Sequence, residues 1–206
     1  MPPVRSLVGA LATAVFLPLS APAQSFPIAA PGSEGFVIVA TSSDPIIATY
    51  LGNSAAFSDD LFLAIGVSGQ PGIDGNSAND VFIFNNQSSP FGSTFNLGSF
   101  LPGTELIFRL FVHNTGQSYY SGPASRNPDN LPHARVQSNW LPGTTLVSFE
   151  DLLNDPEGAN GFNDLSFSFT NTFAATATPE PTTFVLLAGG LFFVGLVARK
   201  RRFLQS

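Results

Sequence analysis

Between Gln24 and Thr178 the chain alternates short apolar runs with clusters of Gly, Pro, Asn and Ser. Runs of four to eight residues rich in Phe, Val and Ile, bounded by such clusters, predict β-strands. Eight segments fit: 35–41 (GFVIVAT), 46–51, 61–67 (LFLAIGV), 81–84 (VFIF), 106–113 (LIFRLFVH), 134–137, 145–149 and 165–169. The last has a clear period of two. Leu165, Phe167 and Phe169 point one way, and Ser166, Ser168 and Thr170 the other. No long stretch has helical periodicity; the one modest candidate is a single turn around Phe149–Asn154. Eight short strands with turn signals between them predict an all-β fold, a single antiparallel β-sandwich or jelly roll. Two Leu-Pro-Gly-Thr pieces, 101–104 and 141–144, each precede a strand. Pro at i+1 and Gly at i+2 suit a type II turn, so they read as two copies of one turn or as marks of a duplicated hairpin.

The two ends break this pattern. Arg5 is followed by an apolar run, Leu7–Leu19, and by Ala21-Pro22-Ala23 before Gln24. That is the layout of a secretory signal peptide, residues 1–23, with cleavage after Ala23. The run is shorter than the ~20 residues of a membrane span. At the other end, 174–181 is a small-residue linker containing Pro179-Glu180-Pro181. Residues 182–198 then run without a charge, and 199–206 open on Arg199, Lys200, Arg201 and Arg202. At 1.5 Å per residue the uncharged stretch makes a helix of about 25 Å, long enough for a short transmembrane span. The basic block marks its cytoplasmic side and leaves 24–173, the β-domain, outside.

Charge narrows the functions open to that domain. It holds no lysine, only Arg109, Arg126 and Arg135, against thirteen carboxylates, a formal charge of −10. Nucleic acid is excluded as a partner, because its binding depends on basic side chains that neutralise phosphates. Divalent cations are the natural counterions. The chain has no cysteine, which removes disulfides, thiolate metal sites and thiol nucleophiles. The domain must be held by its core, for which the chain's 21 phenylalanines, sixteen of them in this domain, supply the bulk, or by bound metal.

The densest candidate chemistry is 149–164, FEDLLNDPEGANGFND. Oxygen ligands on a Gly- and Pro-bearing loop suit Ca2+, which takes six to eight oxygens in flexible geometry. The candidate ligands are Glu150, Asp151, Asp155, Asn163 and Asp164. Their spacing is not that of an EF-hand, and acidic, Asn-rich loops also serve as solvated turns in which Asx side chains cap the backbone. No catalytic residue stands out. A G-x-S-x-G elbow and a dinucleotide fingerprint are both missing. The adjacent pairs Asp59-Asp60 and Glu150-Asp151 would point to opposite faces within a strand. His133, near Asn127, Asp129 and Asn130, is a metal or hydrogen-bonding candidate or a satisfied loop histidine. Gly72–Asp80 (GIDGNSAND) reads as a hairpin loop rather than a ligand site. Trp140, Tyr119 and Tyr120 are either a sugar-stacking platform or ordinary buried aromatics.

Two resemblances add to this reading. The order Pro-Glu-Pro, apolar span, Arg-rich terminus resembles the PEP-CTERM sorting tail of exopolysaccharide-producing Gram-negative bacteria. It implies an exosortase-type partner that cuts near 179–181, transient residence in the inner membrane, and delivery to the cell surface or the exopolysaccharide matrix. The frame F-E-D-L … F-N-D-L-S-F, with RNPDNLPHARV at 126–136, resembles an acidic bacterial extracellular domain family over 101–169, in which calcium binding is suspected. The chain departs from that family at Asn160-Gly161-Phe162, where a Gly-Gly-Asp would supply one more carboxylate. The function expected is a secreted or surface-sorted, non-enzymatic β-sandwich with Ca2+ as its ligand; the alternative is a carbohydrate-binding or carbohydrate-active module.

Overall fold

The computed structural model describes residues 25–154 and 161–177. The expected signal peptide at 1–23, Asp155, Pro179-Glu180-Pro181, the expected span at 182–198 and the basic block at 199–202 lie outside them. Among the described residues twelve strands form in chain order: β1 (Val37–Ala40), β2 (Ile47–Gly52), β3 (Asp59–Leu63), β4 (Val81–Asn85), β5 (Thr94–Asn96) and β6 (Glu105–Leu106), followed by β7 (Phe108–Val112), β8 (Gln117–Tyr120), β9 (Ala134–Ser138), β10 (Thr144–Phe149), β11 (Leu165–Thr170) and β12 (Thr172–Ala175). The helical content of the described residues is two single 3-10 turns, Ser77–Asn79 and Ala124–Arg126. At Phe149–Asn154 there is a turn at Leu153-Asn154 and no helix. Among the described residues no helix is long and apolar enough to cross a membrane.

Every strand pair is antiparallel. A five-stranded sheet runs β5-β2-β11-β10-β9, and a four-stranded sheet β4-β3-β7-β8. Their inner faces share one core: Ala48, Tyr50, Val136, Val147, Phe167 and Phe169 on one side meet Leu61, Phe84, Phe108, Leu110 and Tyr119 on the other. Phe108 stacks on Phe169 with centroids 4.3 Å apart, and Tyr50 meets Phe84 at 5.9 Å. This is a β-sandwich. Its neighbours β3–β4, β7–β8, β9–β10 and β10–β11 are consecutive in the chain. The other neighbours in these two sheets, β5–β2, β2–β11 and β3–β7, are joined by crossovers.

A third sheet, β12-β1-β6, closes one side. Residues just before β1 pair with the open edge of β9 through the Gly35 N–H to the Ala134 carbonyl and the Val136 N–H to the Ser33 carbonyl. At the other edge, β6 runs through Ile107 into β7. The expected single strand 106–113 is divided there because Leu106 pairs with β1 while Phe108 pairs with β3. Ala174 and Ala175, expected in the linker, pair with Ile38 and Val37, so the domain extends two residues further. Both Leu-Pro-Gly-Thr pieces close with an N–H of Thr104 or Thr144 donated to the carbonyl of Leu101 or Leu141. Gly103 and Gly143 sit at φ 87° and 70°, which a type II turn requires at i+2. The second piece links the β9–β10 hairpin and the first connects two different sheets, so the turn recurs and the hairpin does not.

Candidate functional site

β10 ends at Phe149, and the chain leaves the sheet before Glu150 and Asp151; Asp164 lies immediately before β11. Because Phe149 and Leu165 are directly paired, these three carboxylates are brought to one end of the five-stranded sheet. Their ligand oxygens lie within 4.8 Å of one another, and all three residues are buried. Glu150 and Asp151 are outside the strand, so the opposite-face rule does not apply to them, and both point into the cluster.

Backbone donors hold the cluster in place. The Asp151 N–H donates to Asp164 Oδ2 at 2.9 Å. Glu150 accepts the Leu152 N–H at Oε1 and the Phe162 N–H at Oε2, each at 3.1 Å. The carboxylate thus ties the two sides of the segment 155–160. Beside the cluster a cavity of about 120 Å3 is lined by Ser54, Phe57, Asp151, Leu152, Asn163 and Asp164, among others. Asn163 is fixed there by its carbonyl, which accepts the Ser54 N–H at 2.8 Å. Of the expected ligand set, Glu150, Asp151 and Asp164 come together, Asn163 lies beside them, and Asp155 is outside the described residues.

A fourth carboxylate arrives from the opposite sheet. Asp59 is the first residue of β3 and is fully buried. Its Oδ2 accepts the Asn86 side-chain amide at 2.7 Å, while its Oδ1 has no hydrogen-bond donor. Burial pushes its carboxyl up to about 8, helped by the negative charges of Asp151, Asp164 and Asp60 and by a direct contact with Asp151. Asn86 reaches both halves, since the same amide lies 3.4 Å from the Asp164 carbonyl. The sequence signal for Asp59 was only its alternation with Asp60, which faces outward to His113 Nε2 at 2.7 Å.

His133 stands behind the cluster as a structural group. Its Nδ1 donates to the Glu150 carbonyl at 3.0 Å, and its Nε2 bonds Asp129 at 2.9 Å. The ring stacks on Tyr119 with centroids 3.8 Å apart. Burial raises the Asp129 carboxyl, but bonds from the Asn154 N–H, His133 and the Leu131 N–H outweigh it and leave it below its ordinary range. Burial, with Asp129, Asp151 and Glu150 nearby, pushes the Tyr119 phenol up to about 12. The satisfied-histidine reading fits this geometry.

The other candidates disperse. Tyr119 is inside the core, Tyr120 is on the opposite face of β8, and Trp140 packs on Ala29, Leu51 and Leu146. They form no common platform. In the GIDGNSAND loop, Asp80 accepts the Ile65 N–H at Oδ1 and Arg109 Nε at Oδ2, 2.9 and 2.6 Å. Arg109 also covers the Phe62 ring at 4.3 Å. The loop is latched to the four-stranded sheet by a buried ion pair.

Comparison with known proteins bears on the tail. The model of the PEP-CTERM protein-sorting motif matches residues 177–202, so the chain carries that motif. The motif implies export, membrane-anchored sorting to the cell surface or extracellular space, and processing by an exosortase. This match lies two residues beyond β12 and does not extend to 101–169. No curated protein and no solved structure matches the chain.

Proposed function

With the sorting motif as premise, we propose that the mature domain is a non-enzymatic β-sandwich of the cell surface or exopolysaccharide matrix that binds one Ca2+ ion. Glu150, Asp151 and Asp164 are its ligands, with Asn163 as a further oxygen donor. The observation that supports the cation is the burial of three carboxylates within 4.8 Å. Buried like charges cost several kcal/mol unless something positive offsets them. An all-oxygen donor set without sulfur or imidazole suits Ca2+ over zinc or copper. The cavity lined by Asp151, Asn163 and Asp164 gives the ion an entry route.

The role that follows is stabilisation. The chain has no cysteine, so a cation that binds only the folded state does what disulfides do in other exported domains. A ligand at a hundredfold excess over its Kd adds about 2.7 kcal/mol, or roughly 5–10 °C in Tm for a domain of this size. Thermal melts of the purified domain in EDTA and in millimolar CaCl2 test this. A rise of that order is expected; superimposable melts reject the metal.

A further inference from the structure

We infer that Asp59 is a fourth carboxylate ligand of this site, so that the bound Ca2+ clamps the two sheets of the sandwich together. This rests on the Ca2+ reading of the cluster and adds a residue from the other sheet to it. Glu150, Asp151 and Asp164 all belong to the β10–β11 end of the five-stranded sheet, whereas Asp59 opens β3 in the four-stranded sheet. Nothing in the hydrogen-bonding of β3 explains why an acid stands there. Its N–H and carbonyl are satisfied by the Asn86 side-chain carbonyl and the Asn86 N–H. One carboxylate oxygen takes the Asn86 amide, and the other, Oδ1, meets no donor although the residue is fully buried. An acceptor in that position is missing a positive partner. The Asp59 carboxylate contacts that of Asp151, and the charges of Asp164 and Asp60 are close by.

The neighbouring contacts are arranged for such a clamp. Asn86 bonds Asp59 on one side and the Asp164 carbonyl on the other, and the Ser54 N–H bonds the Asn163 carbonyl. The segments before and after β3 and β4 therefore already touch the loop that holds the cluster. A cation among the four carboxylates offsets their mutual repulsion and turns it into attraction across the sheet interface. A proton shared by Asp59 and Asp151 is the other means of satisfying Oδ1, and it would leave Asp59 irrelevant to Ca2+.

Calorimetric titration of the wild type and of Asp59→Asn with CaCl2 separates the possibilities. The wild type is expected to bind one ion, and Asp59→Asn to bind at least about tenfold more weakly, because ligand charge sets affinity at such sites. In EDTA the variant is expected to melt above the wild type, since its neutral amide removes the cost of burying an acid at this position. Equal affinities overturn the clamp and leave the three-ligand site standing; absence of wild-type binding overturns both. Hydrogen exchange on the wild type needs no variant. Ca2+ is expected to slow the Asp59 and Asn86 amides along with those of Asp151 and Phe162, and an effect confined to the latter pair overturns the clamp.

Discussion

At the scale of single residues, the Asp59 carboxyl makes stability depend on pH. The unfolded chain releases that proton near pH 4, while the folded, metal-free protein holds it to about 8. The folded state binds the proton more tightly, so this group's stabilisation is complete below about pH 4 and is lost as the pH rises to about 8. Asp129 and Glu34 are held below their ordinary values, and their contributions fade only on the acid side of that window. Melts in EDTA between pH 5 and 8.5 are therefore expected to fall by several degrees, at roughly 2–4 °C per kcal/mol. Saturating Ca2+ is expected to flatten the fall, because the cation takes the proton's place. A metal-free Tm that stays level or rises over this range would contradict the placement of Asp59 among carboxylates. The outward turn of Asp60 was readable from strand alternation. The partners of Asp59 were not, because no local pattern connects β3 to the loop after β10.

At the scale of elements, the N-terminal arm decides which face of β11 is wet. Alternation placed Ser166 and Ser168 on a polar face, yet both are buried. Residues 26–33 reach Ser166 through Ser148. The Ala29 N–H donates to Ser148 Oγ at 2.9 Å, and Ser148 in turn bonds Ser166 at 2.8 Å. Gly52 gives the arm room: a Cβ there would stand 2.8 Å from the Phe26 Cβ, and its φ of 123° already disfavours a side chain. Gly52→Val is expected to lift the arm and cost about 1–3 kcal/mol. Limited proteolysis should then cut near Phe26–Ala30 well before the sandwich itself; an arm as resistant as in the wild type would refute this packing. The strands the pattern missed are short, three or four residues each. β5, β8 and β12 are all at sheet edges, where partial exposure removes the apolar alternation that identifies a strand.

At the scale of the whole molecule, a −10 domain without disulfides is joined to a sorting tail that matches two residues after its last strand. The fold has little linker to spare, since β12 is paired through Ala175. A cut near 179–181 would fall only a few residues beyond that paired edge. Intact-mass spectrometry is expected to show a chain ending near Pro179–Pro181 in a host with the sorting enzyme, and the full tail in a host without it. The same C-terminal mass in both hosts would contradict exosortase processing.

The sequence alone determined the all-β class, the acidic charge, the two type II turns and the sorting tail. Each of these is written in contiguous residues, through side-chain periodicity, Pro-Gly dipeptides or a short ordered motif. Tertiary structure decided the sheet order, the burial of the serine face of β11 and the meeting of Asp59 with Asp151 and Asp164. Those depend on which distant strands pair and which faces oppose. Such contacts are selected by the collective packing of one core, where Phe108 meets Phe167 and Phe169, and no local stretch of chain encodes them.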